Sequence, residues 1–183
     1  MTKFRSSYKR TLSRLQTVLL NVEESKIRSM LSILLKAKRV FVLGLGRSGL
    51  VLKCFAIRLI HMGFSVAVVG ETMAPPAKNG DALLVSSASG KTKSTFSVVK
   101  RAREYGLQVI LISATRESPM SKLASAIVHI PLEGLTNDDY DRSTLFEESV
   151  FILCEALVPI LAKEKYIANE MMSANHANLE IWG

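Results

Sequence analysis

Cysteine is nearly absent from this chain of 183 residues: only Cys54 and Cys154 occur, each inside an apolar segment. Two thiols so placed exclude a disulfide framework and argue against a metal pair; both are expected to be small core residues in a reducing cytosol. Tryptophan occurs once, at Trp182, and aromatic residues make up only 7%. The 24 Lys and Arg form no basic cluster interleaved with aromatics, so the net charge of +8 lacks the footprint of a nucleic-acid binder. A basic N-terminal helix carrying Lys3, Arg5, Lys9, Arg10 and Arg14, together with an anionic small substrate, accounts for the charge instead. No apolar run reaches the ~18 residues of a membrane span. The longest, SVFILCEALVPILA, is too short and contains Glu155. The basic start MTKFRSSYKR is not followed closely by an apolar region, so no secretory signal is expected and the location is read as cytoplasmic.

The residues present describe a globular protein with a sizeable core, 48% hydrophobic and 22% charged. Leu12, Leu15, Val18, Leu19 and Val22 recur at helical spacing, and Ile27, Met30, Leu31 and Leu34 repeat the pattern, which predicts two opening helices. From Arg39 the texture changes to short apolar runs: RVFVLG, SVAVVG (65–70), ALLVSS (82–87), QVILIS (108–113) and AIVHIP (126–131). Helix-length segments at about Ser48–His61 and Lys91–Tyr105, and a short one in SPMSKLAS, separate several of them. Strands apolar throughout and alternating with helices imply a five-stranded parallel sheet covered on both faces. A long helix over about Thr144–Lys165 closes the core and a shorter one carries the tail. No repeat or domain break interrupts the chain. Its expected layout is a single unit over 1–183: N-terminal helices in 1–38, a parallel α/β core in 39–131, and C-terminal helices and tail in 144–183. The polar insertion LEGLTNDDYDRS (132–143) lies before the last part.

In such a sheet ligands gather beyond the carboxyl ends of the strands, where strand order reverses. Two strand exits are chemically unusual. The first, GLGRSG, contains Gly44, Gly46 and Gly49 in the G-x-G-x-x-G spacing of a dinucleotide turn, with Glu71 where a ribose-binding acid would stand. Any tight strand-to-helix turn favours glycine, however, and the Ser-rich second exit would then have no role. That second exit, SSASGKTKS (86–94), ends like a nucleoside triphosphate loop in Gly90, Lys91 and Thr92, but the glycine required five residues earlier is Val85. A third reading uses both exits. Ser48, Ser87, Ser89 and Thr92 would converge with the free N–H groups of two helix starts on a small phosphate monoester. The competing explanation is that these hydroxyls merely cap helices.

SSASGKTKS after a buried strand resembles the S-x-S-G-x-T signature of the SIS (sugar isomerase) domain. GRSGLVLKCFAIRLIHMGFSVAVVGET (46–72), STLFEE (143–148) and HANLE (176–180) narrow the resemblance to the 6-phospho-3-hexuloisomerase family. The resemblance implies a three-layer αβα sandwich with flavodoxin-like winding, preceded here by the two N-terminal helices. It implies interconversion of 3-hexulose 6-phosphate and fructose 6-phosphate in the ribulose monophosphate pathway. It also implies a homo-oligomer, most often a tetramer and otherwise a dimer, with no metal or organic cofactor. The alternatives are an aldose–ketose isomerase of the same domain and a sugar-phosphate-binding module without turnover. The chain departs from the family pattern at Ala88 (where the family has a glycine), Lys93 (an acid), Asn175 (an arginine) and DDYDRS (138–143, where the family segment contains glycine).

Moving a carbonyl between C3 and C2 needs one base over that bond and a donor for the enediolate oxygens. Glu147 and Glu148 in TLFEE are the candidate carboxylates; the competing explanation is that both are ordinary first-turn acids favoured by the helix dipole. The resemblance singles out Glu147 as the base and His61 as an assisting acid. Gly46, Arg47, Ser48, Gly49, Ser87, Ser89, Gly90, Lys91 and Thr92 are assigned to the phosphosugar, Glu71 to its hydroxyls and His176 to a reach into a site. His129, within a strand, is expected to be core. The all-round apolar character of SVFILCEALVPILA exceeds what one packing face needs, which points to burial against another subunit.

Overall fold

Two helices open the computed structural model, which describes residues 2–136 and 138–176. They are α1 (Lys3–Leu20) and α2 (Glu24–Lys36), the first capped by Thr2, whose hydroxyl accepts from the Arg5 N–H. The apolar runs then become strands and the segments between them mostly helices. In chain order these are β1 (Val40–Gly44), α3 (Gly46–His61), β2 (Val66–Val68), β3 (Ala82–Ser86), α4 (Lys93–Glu104), β4 (Gln108–Ser113) and β5 (Ala126–His129). The chain continues with α5 (Asp139–Glu164) and α6 (Asn169–Ala174). SPMSKLAS forms only a single 3₁₀ turn, Ser121–Leu123. Between β2 and β3 there is no helix.

All strand pairings are parallel and the order is β2-β1-β3-β4-β5. The strand order therefore reverses between β1 and β3, and Gly44 lies directly beside Ser86 at their carboxyl ends. The two unusual exits seen in the sequence are next to each other at the switch point.

Alternation along the strands divides the core. Val42, Leu84, Ile110 and Val128 face α1, α2, α3 and α5, where Phe55 and Phe146 are fully buried. Each such side chain contributes about 1.5–3 kcal/mol relative to an exposed one. Phe41, Leu43, Leu83, Val85 and Leu111 face the other way, toward Val99 and Ala102 of α4. Among the described residues no helix is long and apolar enough to cross a membrane.

Two expectations need correction. Helix α5 starts at Asp139, not near Thr144, so it absorbs the end of the polar insertion. Asp138 caps it by accepting from the Asp141 N–H at 2.7 Å, and Arg14 of α1 pairs with Asp141 at 2.8 Å. Cys54 is exposed on α3; only Cys154 is core, where burial pushes its thiol far above the usual range.

The glycine fingerprint has a packing cause. A Cβ on Gly49 would lie 2.5 Å from the Gly44 carbonyl oxygen, and one on Gly44 would lie 2.7 Å from the Gly49 nitrogen. Both obstacles are backbone, so neither can move aside. Gly49→Ala is expected to lower stability by about 1–3 kcal/mol, as overpacking does. An unchanged urea midpoint would show that the first turn of α3 does not press on β1.

Candidate active site

Glu147 is the ninth residue of α5, more than two turns from its start, so the helix dipole does not account for it. It heads the line of Val150 and Cys154 along the edge of the buried stripe, and it is itself only 8% exposed. Ser48, in the first turn of α3, donates to its Oε1 at 3.2 Å. The Arg47 Nε lies 3.1 Å from Oε2, an ion pair without hydrogen-bond alignment. Arg47 Nη1 also reaches the Thr144 hydroxyl at 3.4 Å. The turn after β1 thus delivers two side chains to one buried carboxylate. Glu148 makes no hydrogen bond to Ser48 and lines a groove with Thr11, Leu15, Val51, Phe151 and Ile152, which Arg47 and Glu147 also line.

The second exit is built differently. Ser87 is buried, and its hydroxyl accepts from the Gly90 N–H at 3.3 Å. The Ser89 hydroxyl accepts from the Lys91 N–H at 3.2 Å. Gly90 has φ +60, and a Cβ there would fall 2.2 Å from the Ser118 hydroxyl. Ser89, Lys91 and Thr92 are exposed at the mouth. Thr92 occupies the N-cap of α4 yet makes no side-chain capping bond, and the N-cap of α3 is Leu45. Helix capping therefore does not explain Ser48 or Thr92, and the first-turn amides of α4 have no side-chain cap. Ala88 keeps an ordinary backbone, because Tyr166 is the one non-glycine residue with positive φ among those described.

The structure brings Arg47, Ser48, Gly49 and Glu147 together, next to the strand exit that carries 87–92. Gly46, at φ +56, makes the turn between β1 and α3. Glu71 stands beside the same first exit, in a cleft between α3 and the end of β2 that Gly44 and Gly49 also line, where Lys53 binds it at 2.6 Å and holds its carboxyl below the usual range. His61 lies elsewhere. It ends α3, about 20 Å along the helix axis from Ser48 at 1.5 Å per residue. Its ring lies 4.8 Å from that of His176, and Asn175 donates to its carbonyl oxygen at 3.0 Å. Burial first, then His176 and Arg58, hold the His61 imidazole below its usual 6.5, so it is neutral near pH 7. Within one chain neither histidine accompanies Glu147. The rest of HANLE, 177–180, lies outside the described residues. His129 is buried at the end of β5, as its strand position implied. Among the described residues no cluster of three or more His, Cys, Asp or Glu side chains is arranged to hold a metal ion.

The hydroxyls missed in the sequence are those behind the second exit. Ser113, Thr115 and Ser118 come from 25 to 30 residues later in the chain, at the end of β4, and surround the 88–90 backbone. Their signal was available only as small polar residues closing an apolar strand.

Residues 33–136 match the model of the SIS domain. The 3-hexulose-6-phosphate isomerase of Methylomonas aminofaciens is 38% identical over 175 residues, covering 92% of this chain and 96% of that protein. The protein of the same name from Bacillus subtilis (strain 168) is 35% identical, covering 80% and 83%. A hypothetical protein from Methanococcus jannaschii, whose crystal structure was reported to infer a function of 3-hexulose-6-phosphate isomerase, superposes with a TM-score of 0.82. It is 29% identical over 94% of this chain and 96% of that one. With this sheet order, these two strand exits and this likeness along nearly its whole length, the chain belongs to the SIS-domain family, among relatives named 3-hexulose-6-phosphate isomerase.

Proposed function

We propose that the protein is a 3-hexulose-6-phosphate isomerase, interconverting that ketose and fructose 6-phosphate. The observation that carries the reading is the buried carboxylate of Glu147, held by Ser48 at the switch point beside the Ser-rich exit. The C6 phosphate binds at Ser87–Thr92 and the start of α4, where short hydroxyls and open amides suit a dianion. The sugar chain then extends toward Glu147. From 3-hexulose 6-phosphate, Glu147 takes the C2 proton and electrons move to the C3 oxygen; the hydroxyl proton of the C2 oxygen passes to the C3 oxygen, and Glu147 returns its proton to C3, leaving the carbonyl at C2. Arg47, 53% exposed and already beside the carboxylate, is placed to balance the growing negative charge. This supports Arg47 as a partner of the reacting end, whereas its expected role was toward phosphate. The reaction places the protein in the ribulose monophosphate pathway, and its two free thiols suit the cytoplasm.

The protein works as a homo-oligomer, with a tetramer favoured. Leu50, Ile57 and Ile60 of α3 and Phe151, Ile152 and Ile160 of α5 are exposed, more apolar surface than a solvated helix pair carries. His61 and His176 serve the chemistry only from a neighbouring copy, given the length of α3 between His61 and Ser48.

Proton exchange tests the reading. Fructose 6-phosphate in heavy water is expected to exchange its C3 proton as the equilibrium runs back and forth, followed by NMR. Exchange confined to C1 would favour an aldose–ketose isomerase; binding with no exchange would favour a sensor module.

A further inference from the structure

The Ala88 carbonyl oxygen receives three donors, all from the end of β4. They are the Ser113 hydroxyl at 3.1 Å, the Ala114 N–H at 3.1 Å and the Thr115 hydroxyl at 3.3 Å. Ser113 is itself fixed, because its hydroxyl also accepts from the Thr115 N–H at 3.1 Å. One carbonyl two residues further on is held in the same manner: Gly90 O accepts from the Met120 N–H at 3.3 Å, and the Ser118 side chain stands against the Gly90 Cα. A peptide unit is planar and trans, so its N–H points opposite to its C=O. Turning the carbonyls of Ala88 and Gly90 back toward β4 therefore turns the amides of Ser89 and Lys91 forward, to the open side of the loop. The Lys91 amide meets the Ser89 hydroxyl there. The Ser89 amide has no hydrogen-bond partner among the described residues.

We infer that Ser113 and Thr115 are positioning residues of the phosphate site: by holding the Ala88 peptide they aim the Ser89 N–H at the phosphoryl group. Neither touches the sugar. This rests on the reading of 87–92 as the phosphate loop. Three donors on one carbonyl exceed what closing a turn needs, since a carbonyl oxygen has two lone pairs. Local backbone preference cannot supply the orientation either, because Ala88 gives the loop no glycine at this peptide and the fixing groups come from another strand.

The test uses Thr115→Val, which keeps shape at a half-buried position, then Ser113→Ala and the conservative Thr115→Ser. Affinities for inorganic phosphate, fructose 6-phosphate and phosphate-free fructose are measured by calorimetry, beside kcat, KM and the urea midpoint. Thr115→Val is expected to weaken phosphate and fructose 6-phosphate about threefold to tenfold, the effect of one neutral hydrogen bond. KM should rise by the same factor with kcat little changed, fructose should be unaffected, and Thr115→Ser should restore affinity. A lowered urea midpoint with phosphate affinity unchanged in both Thr115→Val and Ser113→Ala would overturn the inference and leave these residues structural. Failure of the isomerase reading looks different: the unaltered protein would bind fructose 6-phosphate without proton exchange, while the phosphate arm still decides the role of Ser113 and Thr115.

Discussion

Glu147→Gln is expected to lower turnover about 10²–10⁴-fold, the usual contribution of a positioned general base. The amide keeps the size of the side chain and can still accept from Ser48, whose hydroxyl now meets Oε1 at 3.2 Å. The base is lost, and so is the charge opposite Arg47 at 3.1 Å. Substrate affinity should change little, because the phosphate loop lies on a different strand exit. Glu148→Gln is the control. Its side chain leaves α5 about 100° round the helix, and although it lines the same groove as Arg47 and Glu147 it is not the carboxylate that Ser48 holds. That change should cost far less. If Glu148→Gln abolished turnover while Glu147→Gln did not, the base would be Glu148. If neither mattered, the proton acceptor would have to be one of the histidines. A mixture of Glu147→Gln and His61→Ala proteins, allowed to exchange subunits, is expected to regain turnover in mixed oligomers. No recovery with exchange verified would remove His61 from the site.

The second large effect is expected from Ser89→Ala combined with Thr92→Ala. Each hydrogen bond to a charged group is worth about 1.5–3 kcal/mol, so losing two should weaken fructose 6-phosphate at least about 100-fold. Thr92 offers a clean deletion, since its side chain caps nothing in α4. Ser89 offers a less clean one, since its hydroxyl also accepts from the Lys91 N–H. Removing it frees that amide as well as deleting a donor, so the single variants are expected to be unequal, with Thr92→Ala giving the more direct reading. Inorganic phosphate should weaken in parallel and phosphate-free fructose should not respond. Equal affinity in the double variant, with the urea midpoint intact, would move the phosphate to another part of the crevice.

Local pattern was sufficient for the strands, because a parallel strand is buried on both faces and its sequence stays apolar throughout. It was also sufficient for the two exits, whose glycines and hydroxyls stand out against that background, while Glu147 was singled out only through the resemblance of its surroundings to a known motif. It misplaced the start of α5, because polar residues such as DDYDRS read as a loop until a cap and a distant partner are known. Asp138 supplies the cap and Arg14, 127 residues from Asp141, supplies the anchor. It misjudged Cys54, because α3 carries more apolar residues than its buried face can use, and period alone does not say which face is inward. Chain order likewise could not say how far Glu71 and His61 stand from Glu147. Strand order set the β1 exit between the β3 exit and the end of β2, where Glu71 stands, and the 16 residues of α3 carried His61 to the other end of that helix. The arrangement of three donors on the Ala88 oxygen lies furthest from anything periodic. Residues 88 and 113–115 are brought together by the pairing of β3 with β4, and the direction of a single peptide is decided by which oxygen those donors can reach.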